Sequence, residues 1–155
     1  QELHEDLVNS KKIISQEMRN FKKVFKRSLN LVEYYGDKNA DTVIVAMGSV
    51  LGTIKEAVDE LRKQGKKVGV LKIVSFRPFP EEEIIKALSK AKNIAVIDKS
   101  ISLGTEGILA TELRRILKKN IVSFVLGLGG RDITKEMIKK VFVSVKKEKL
   151  IFLGR

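Results

Sequence analysis

The sequence predicts an α/β fold: a three-layer, open and mainly parallel sheet of four to five strands with helices on both faces, preceded by an N-terminal amphipathic helix. Two observations lead to this prediction. From residue 42 onward, short apolar segments rich in Val and Ile alternate with segments whose apolar residues recur every three to four positions. Alternation of this kind specifies a parallel sheet covered by its crossover helices. Residues 1–30 instead show a helical period without strands.

The first predicted element is the helix over residues 1–30. Its apolar residues are separated by three, four or seven positions, with Lys, Arg and Glu between them. They are Leu3, Leu7, Ile14, Met18, Phe21 and Phe25. This spacing places them on one side of a helix that packs on its own domain, on a neighbour, or on a second copy in a coiled coil. Residues 31–41 follow as a connector, in which residues 34–39 have the composition of a turn.

An α/β domain is predicted over residues 42–153. Its strands are 42–47, 67–74, 93–98, 121–126 and a short closing strand at 150–153. Gly65 ends the first crossover helix. Pro80 and three glutamates begin the second, because Pro fits a first turn and carboxylates favour the positive end of the helix dipole. Leu109 and Met137 belong to the apolar faces of the last two helices.

Four corners containing glycine or proline follow the inner strands. They span residues 48–52, 75–80, 99–107 and 127–132. In a parallel sheet all four corners emerge at the carboxyl edge, where open α/β sheets place their ligand or partner sites. The candidate residues of this edge, which we call the carboxyl rim, are Gly48, Ser49, Arg77, Phe79, Lys99, Gly104, Gly129, Gly130 and Arg131. The cations and the helix N-termini of such a rim favour anions or acidic side chains.

Structural roles also account for these corners. Gly48 and Gly52 form neither a dinucleotide fingerprint nor a P-loop, and residues 77–80 suit a rigid turn. Asp98 is expected to cap a nearby loop rather than act as a general base, since no His lies beside it in sequence. Asp132 is expected to cap the last helix.

Composition excludes several functional classes. The 155 residues include no Cys, which excludes disulfides, thiolate zinc sites, a cysteine nucleophile and cysteine ligands for an iron–sulfur cluster. The single histidine, His4, argues against a histidine triad or a multi-histidine metal centre. Much of the usual catalytic repertoire is therefore absent, and we predict no metal-binding residue on this chain. The start at Gln1 rather than Met leads us to expect a fragment or a processed product.

Charge and hydropathy indicate the environment of the protein. Thirty-one Lys and Arg against 19 Asp and Glu give a formal net charge of +12. The basic residues are scattered and have few aromatic neighbours, which favours a solvated surface over nucleic-acid binding. High charge without Cys or Trp also suits a thermophilic source. No apolar run approaches the roughly 18 residues of a membrane span, and the N-terminus lacks a signal-peptide core. We expect a soluble cytoplasmic protein without membrane contact.

Four segments together resemble one known family. Residues 45–55, 76–80, 98–104 and 127–134 stand in the order and spacing found in the C-terminal portion of the alpha subunit of pyruvate:ferredoxin oxidoreductase. Relatives that oxidise branched-chain 2-oxoacids share much of this pattern. The resemblance covers residues 30–153, and the region is more distantly similar to the C-terminal domain of transketolase-like enzymes.

The resemblance implies a role in a larger enzyme. The family converts a 2-oxoacid, coenzyme A and oxidised ferredoxin to acyl-CoA, carbon dioxide and reduced ferredoxin, using thiamine diphosphate, Mg²⁺ and iron–sulfur clusters. The implied partners are the N-terminal region of the same alpha subunit, the beta, gamma and delta subunits, and ferredoxin. This chain lacks cysteines and a Gly-Asp-Gly segment leading to a Mg²⁺-ligating Asn. We therefore expect a fragment that is inactive alone and binds no cofactor, with a docking and assembly role carried by the carboxyl rim.

Other functions remain compatible with the residues alone. The rim is also suited to an independent small-ligand-binding module, and its cations suit the phosphates of coenzyme A. A basic nucleic-acid-binding protein is the third class, and it would bind DNA with a steep dependence on salt.

Overall fold

The computed structural model describes residues 1–145 and 149–154. Its elements, in chain order, are α1 (Glu2–Phe25), β1 (Val32–Gly36), β2 (Thr42–Ala46), α2 (Leu51–Lys63), β3 (Val68–Ile73), α3 (Glu81–Ala87), β4 (Asn93–Asp98), α4 (Ile108–Ile116), β5 (Ile121–Leu126), α5 (Lys135–Ser144) and β6 (Leu150–Leu153). A 3₁₀ turn over Leu128–Gly130 lies between β5 and α5.

The strands form one sheet in the order β1-β3-β2-β4-β5-β6. Strands β2 to β6 run parallel to one another, and β1 pairs antiparallel with β3 at one edge. The central pairing sets Val43 opposite Ile94 and Ile97 opposite Phe124. The inner strands are mostly buried and apolar because helices cover both of their faces.

The predicted fold class is confirmed, and the described residues contain six strands rather than four to five. The additional strand, β1, lies in residues 31–41, where the sequence indicated a connector with a turn. The turn itself is confined to residues 38–39. Strand β1 pairs closely because Gly36 lies opposite Gly69, and a Cβ on Gly36 would approach the Gly69 Cα to 2.7 Å. Such long-range contacts make a strand of a segment whose local composition favours a turn.

Two apolar cores lie on the two faces of the sheet. Alternate residues of β2 contribute to each, since successive side chains of a strand point to opposite faces. Ile44 joins the core beneath α2 and α5, and Val43 joins the core beneath α3 and α4. The helices are therefore arranged on both faces, as predicted.

Helix α1 is confirmed, but the body of the protein covers only part of its apolar stripe. None of its residues is buried, although Ile14, Met18 and Phe21 are half-buried. An ion pair of 2.8 Å between Lys11 and Glu83 joins α1 to α3. None of the helices in the part of the chain that the structure describes has both the length and the apolar character required to cross a membrane.

Candidate functional site

The carboxyl rim is a geometric consequence of the sheet. Because β2, β3, β4 and β5 are parallel, the corners that follow them emerge at one edge, as the sequence predicted. Strand β2 lies between β3 and β4, so the chain first moves to one side of β2 and then crosses to the other. The corners after β2 and β4 flank this change of direction, which is where open α/β sheets place their sites.

The corner after β3 is held by contacts within the chain. The Arg77 guanidinium donates to the Phe76 carbonyl at 2.9 Å and lies 4.2 Å above the Phe76 ring. Its other nitrogen pairs with Glu112 on α4. Phe79 is half-buried and packs edge-on against Phe76, with ring centroids 5.8 Å apart. Arg77 and Phe79 therefore shape this corner.

Further charges extend from Arg77 across the surface. Glu112 also pairs with Arg115 at 3.3 Å, and Arg115 pairs with Glu81 at 2.6 Å. A groove of about 400 Å³ beside these residues is lined partly by the N-terminal end of α1, including Leu7. At the β3 corner, α1 therefore borders the rim, which the sequence did not indicate.

The corner after β4 is organised by a buried carboxylate. Asp98 is 2% exposed, and its oxygens accept hydrogen bonds from the backbone N–H groups of Leu109 at 3.0 Å and Ala110 at 3.2 Å. Burial raises the pKa of Asp98, and the two backbone hydrogen bonds oppose this shift. Asp98 therefore acts as a cap, as predicted, but it caps the first turn of α4 and not the loop that the sequence led us to expect. The buried hydroxyl of Ser123 accepts the Gly107 N–H at 3.4 Å and closes the same corner.

The exposed part of this corner carries Lys99, Gly104 and a residue that the sequence analysis did not single out. Lys99 and Gly104 are exposed, and Gly104 has a φ of +80°. Leu103, between them, is 90% exposed. The signal was a Leu directly before a Gly, in a corner whose other residues, apart from Ile101, are small, polar or charged.

The corner after β5 exposes backbone. Gly129 and Gly130 have φ values of +66° and +80°, and a Cβ on either would meet no atom within 4 Å. Arg131 is exposed and donates to the Leu128 carbonyl at 3.5 Å. Glycine is therefore required here by the left-handed backbone and not by packing within the chain.

Helix α5 begins differently from the prediction. The hydroxyl of Thr134, rather than the carboxylate of Asp132, caps it by accepting the Met137 N–H at 3.3 Å. Asp132 lies two residues before the cap position, too early to accept from the first turn. The prediction that Asp132 caps α5 was therefore wrong, because the cap is Thr134, two residues later.

The corner after β2 completes the rim. Gly48 has a φ of +80° and, like Ser49, is exposed. A Cβ on Gly48 would meet no atom within 4 Å. The corners after β2, β4 and β5 present exposed backbone at glycines, and the exposed charges of the last two are Lys99, Arg131 and Asp132.

The side chains present do not fit the cofactors of a thiamine-dependent oxidoreductase. The absence of Cys removes the ligands of an iron–sulfur cluster. Both oxygens of Asp98, the buried carboxylate of the rim, are bonded to the backbone of α4, so Asp98 does not fit a Mg²⁺ ligand. Within residues 1–145 and 149–154, no three His, Asp or Glu side chains form a metal-binding group. The rim presents exposed charged side chains, glycine backbone and the apolar side chain of Leu103.

The mainly parallel sheet and its covering helices form an α/β fold that two solved structures share. The structure is similar to that of 2-oxoglutarate:ferredoxin oxidoreductase from Magnetococcus marinus, with a TM-score of 0.61 and 22% identity, covering 84% of this chain and 23% of that one. A split-gene transketolase gives a TM-score of 0.56 at 15% identity, covering 77% and 43% of the two chains. These likenesses show the fold.

Sequence comparison shows the family. Residues 40–138 match the model of pyruvate:ferredoxin oxidoreductase core domain II. The chain is 49% identical over 150 residues to the pyruvate synthase subunit PorA of Methanocaldococcus jannaschii, covering 94% of this chain and 39% of that protein. It is 42% identical over 144 residues to the ketoisovalerate oxidoreductase subunit VorA of Pyrococcus abyssi, covering 89% and 36%. The chain belongs to the pyruvate:ferredoxin oxidoreductase family, and it spans less than half the length of these curated relatives.

Proposed function

We propose that this chain is a noncatalytic docking domain in the alpha subunit of a 2-oxoacid:ferredoxin oxidoreductase. The observation that carries the proposal is the 49% identity over 150 residues to a subunit named for pyruvate synthase. Pyruvate is the 2-oxoacid we propose, because relatives at 49% and 43% identity carry the pyruvate synthase name. The domain boundaries expected from the sequence, 1–30, 31–41 and 42–153, and the cytoplasmic location belong to the same proposal.

The proposed reaction is that of the whole complex. A 2-oxoacid is oxidised and decarboxylated, its acyl group passes to coenzyme A, and the two electrons pass one at a time to two ferredoxin molecules. Thiamine diphosphate, Mg²⁺ and iron–sulfur clusters would be held outside this chain, since its side chains do not fit them. The proposed partners are the N-terminal region of the alpha subunit, the beta, gamma and delta subunits, and ferredoxin.

The rim is the proposed docking surface, and its residues divide into two roles. Lys99, Gly129, Gly130 and Arg131 are exposed and open to contact with a partner. Glycines without a neighbouring atom allow another backbone to approach closely. Arg77 pairs with Glu112, so its proposed role is to hold the β3 corner in shape for the partner.

A charge-matched pair of double variants tests the docking role in the assembled complex. Lys99→Ala with Arg131→Ala removes two exposed rim cations. Lys118→Ala with Lys140→Ala removes two exposed cations outside the four rim corners. We expect the rim variant to weaken subunit association and to lower 2-oxoacid-dependent ferredoxin reduction, and the control to match wild type. Unchanged association and turnover in the rim variant would refute the docking role, and an activity of the isolated chain would refute its noncatalytic character.

A further inference from the structure

Leu103 is the most exposed large apolar side chain in the part of the chain that the structure describes, with 90% of its surface open to solvent. It lies at the tip of the corner after β4, on the carboxyl rim. Exposed leucines occur singly on most proteins, so exposure by itself assigns nothing. Two features distinguish Leu103 from an ordinary exposed leucine. Hydrogen bonds fix the backbone of its turn, and exposed charged residues lie in the same corner and in the adjoining one.

The turn that carries Leu103 is held by several hydrogen bonds. The Thr105 N–H and hydroxyl both donate to the Ser102 carbonyl at 3.0 Å, and the Ser102 N–H donates to the Glu106 carbonyl at 3.1 Å. Gly104, with a φ of +80°, occupies the third position of this turn, where a type II turn requires a positive φ. A fixed backbone lowers the ordering cost of binding, because the loop is already in one conformation.

Some charged side chains in this part of the rim are paired within the chain, and others are exposed to solvent. The two carboxylates of the β4 corner are engaged within the chain: Asp98 is buried against α4, and Glu106 pairs with Arg114 at 2.6 Å. The exposed charged side chains of this part of the rim are the cations Lys99 and Arg131 and the carboxylate of Asp132. Lys99 lies in the same corner, and Arg131 lies in the adjoining corner, because β4 and β5 are neighbours in the sheet. The exposed side chains of these two corners therefore carry a net positive charge.

We propose that Leu103 is the apolar anchor of the carboxyl rim and inserts into an apolar pocket on another subunit of the complex. Carboxylates border that pocket and pair with Lys99 and Arg131. The inference rests on the proposed docking function and deepens it by naming the contact and the chemistry of the partner surface. Burying a leucine side chain tightens binding about tenfold or more.

Three single substitutions in the alpha subunit of the complete complex test this anchor. Leu103→Ala removes most of the side chain, Leu103→Met keeps an apolar side chain of similar volume, and Val143→Ala is the control. Val143 is 78% exposed on α5, outside the four rim corners. We expect Leu103→Ala to raise the dissociation constant between the alpha subunit and the other subunits about tenfold or more. Leu103→Met and Val143→Ala should stay close to wild type.

The contribution of the two cations is tested by varying the ionic strength. Wild-type association should weaken as salt is added, and the salt dependence should shrink in the Lys99→Ala, Arg131→Ala double variant, because screened pairs contribute less. If Leu103→Ala behaves like Val143→Ala while the double variant weakens association, the anchor is refuted and the docking rim stands. If neither weakens association, the docking function fails as well. If Leu103→Met is as weak as Leu103→Ala, an apolar pocket is refuted.

Discussion

The carboxylate of Asp98 occupies the space that a Cβ on Gly107 would fill. Asp98 ends β4, Gly107 precedes α4, and the carboxylate reaches past the glycine to accept the N–H groups of Leu109 and Ala110. Gly107 has an ordinary extended backbone, with φ of −61° and ψ of 144°. The glycine is therefore required by the side chain beside it and not by its own conformation. This pair closes the corner that carries Lys99 and Leu103.

Gly107→Ala should destabilise the protein by about 1–3 kcal/mol, since the added methyl must displace a buried hydrogen-bonded carboxylate. Gly52→Ala is the matched control, because a Cβ on Gly52 would meet no atom within 4 Å and Gly52 lies in α2. It should leave the stability unchanged or raise it by up to about 1 kcal/mol. Urea unfolding of both variants measures the difference, and equal stabilities would contradict the proposed overlap.

Asp98→Asn should change how stability depends on pH. Burial raises the pKa of Asp98 above its ordinary value of 3.8, so the folded state binds this proton more tightly than the unfolded state. The stability contributed by protonation is fully present below pH 3.8 and is lost as the pH rises through the folded-state pKa. The free energy of unfolding of wild type, minus that of Asp98→Asn, should therefore fall as the pH is raised from below 3.8. A difference that stays constant or increases would show that the pKa is not raised.

Glu60→Gln should show the opposite dependence. Hydrogen bonds from Lys135 and Lys139 lower the pKa of Glu60 from 4.5 to about 2, and the pairs measure 2.8 Å and 2.6 Å. This stabilisation is present above pH 4.5 and is lost as the pH falls toward about 2. Near neutral pH, the melting temperature of wild type should exceed that of Glu60→Gln. This difference in melting temperature should shrink as the pH falls from 4.5 toward about 2, and it should also shrink in high salt. Glu56→Gln is the control, since the nearest Glu56–Lys135 contact is 3.7 Å. A difference in melting temperature that is undiminished at pH 2 would show that the pKa of Glu60 is not lowered.

Lys119→Met should destabilise the protein by about 2 kcal/mol, the range for hydrogen bonds made by a charged group. The Lys119 ammonium donates to the carbonyls of Leu88, Ser89 and Ala91 at 2.7–2.8 Å, just after the end of α3. The neighbouring Lys118 is exposed, so Lys118→Met carries the same charge change and should alter stability by less than about 0.5 kcal/mol. Chemical denaturation measures the free energy of unfolding of both variants. Similar free energies would show that Lys119 does not stabilise the C-terminal end of α3.

The sequence predicted those elements whose signal is local. Strands β4 and β5 coincide with predicted segments 93–98 and 121–126, because buried parallel strands consist mostly of consecutive apolar residues. Strand β1 was missed, since its residues 32–36 mix polar and aromatic side chains. Only its pairing with β3 makes it a strand.

The candidate site also has features that the sequence predicted and features that it did not. Its location follows from strand direction, and strand direction follows from the alternation of strands and helices in the sequence. The Arg77–Glu112 pair joins residues 35 positions apart, and no local pattern indicates it. The same holds for the burial of Asp98 and for the exposure of Leu103.

By itself the sequence determined the order of the elements, the glycine-bearing corners and their common edge, because these depend on hydrophobic period and backbone freedom within short segments. The tertiary structure decided the sixth strand, the engagement of Arg77 by Glu112, the fit of Asp98 against Gly107, and which rim residues face solvent. Those outcomes depend on distances between residues far apart in the chain, and such distances are set only when the sheet and its covering helices pack together.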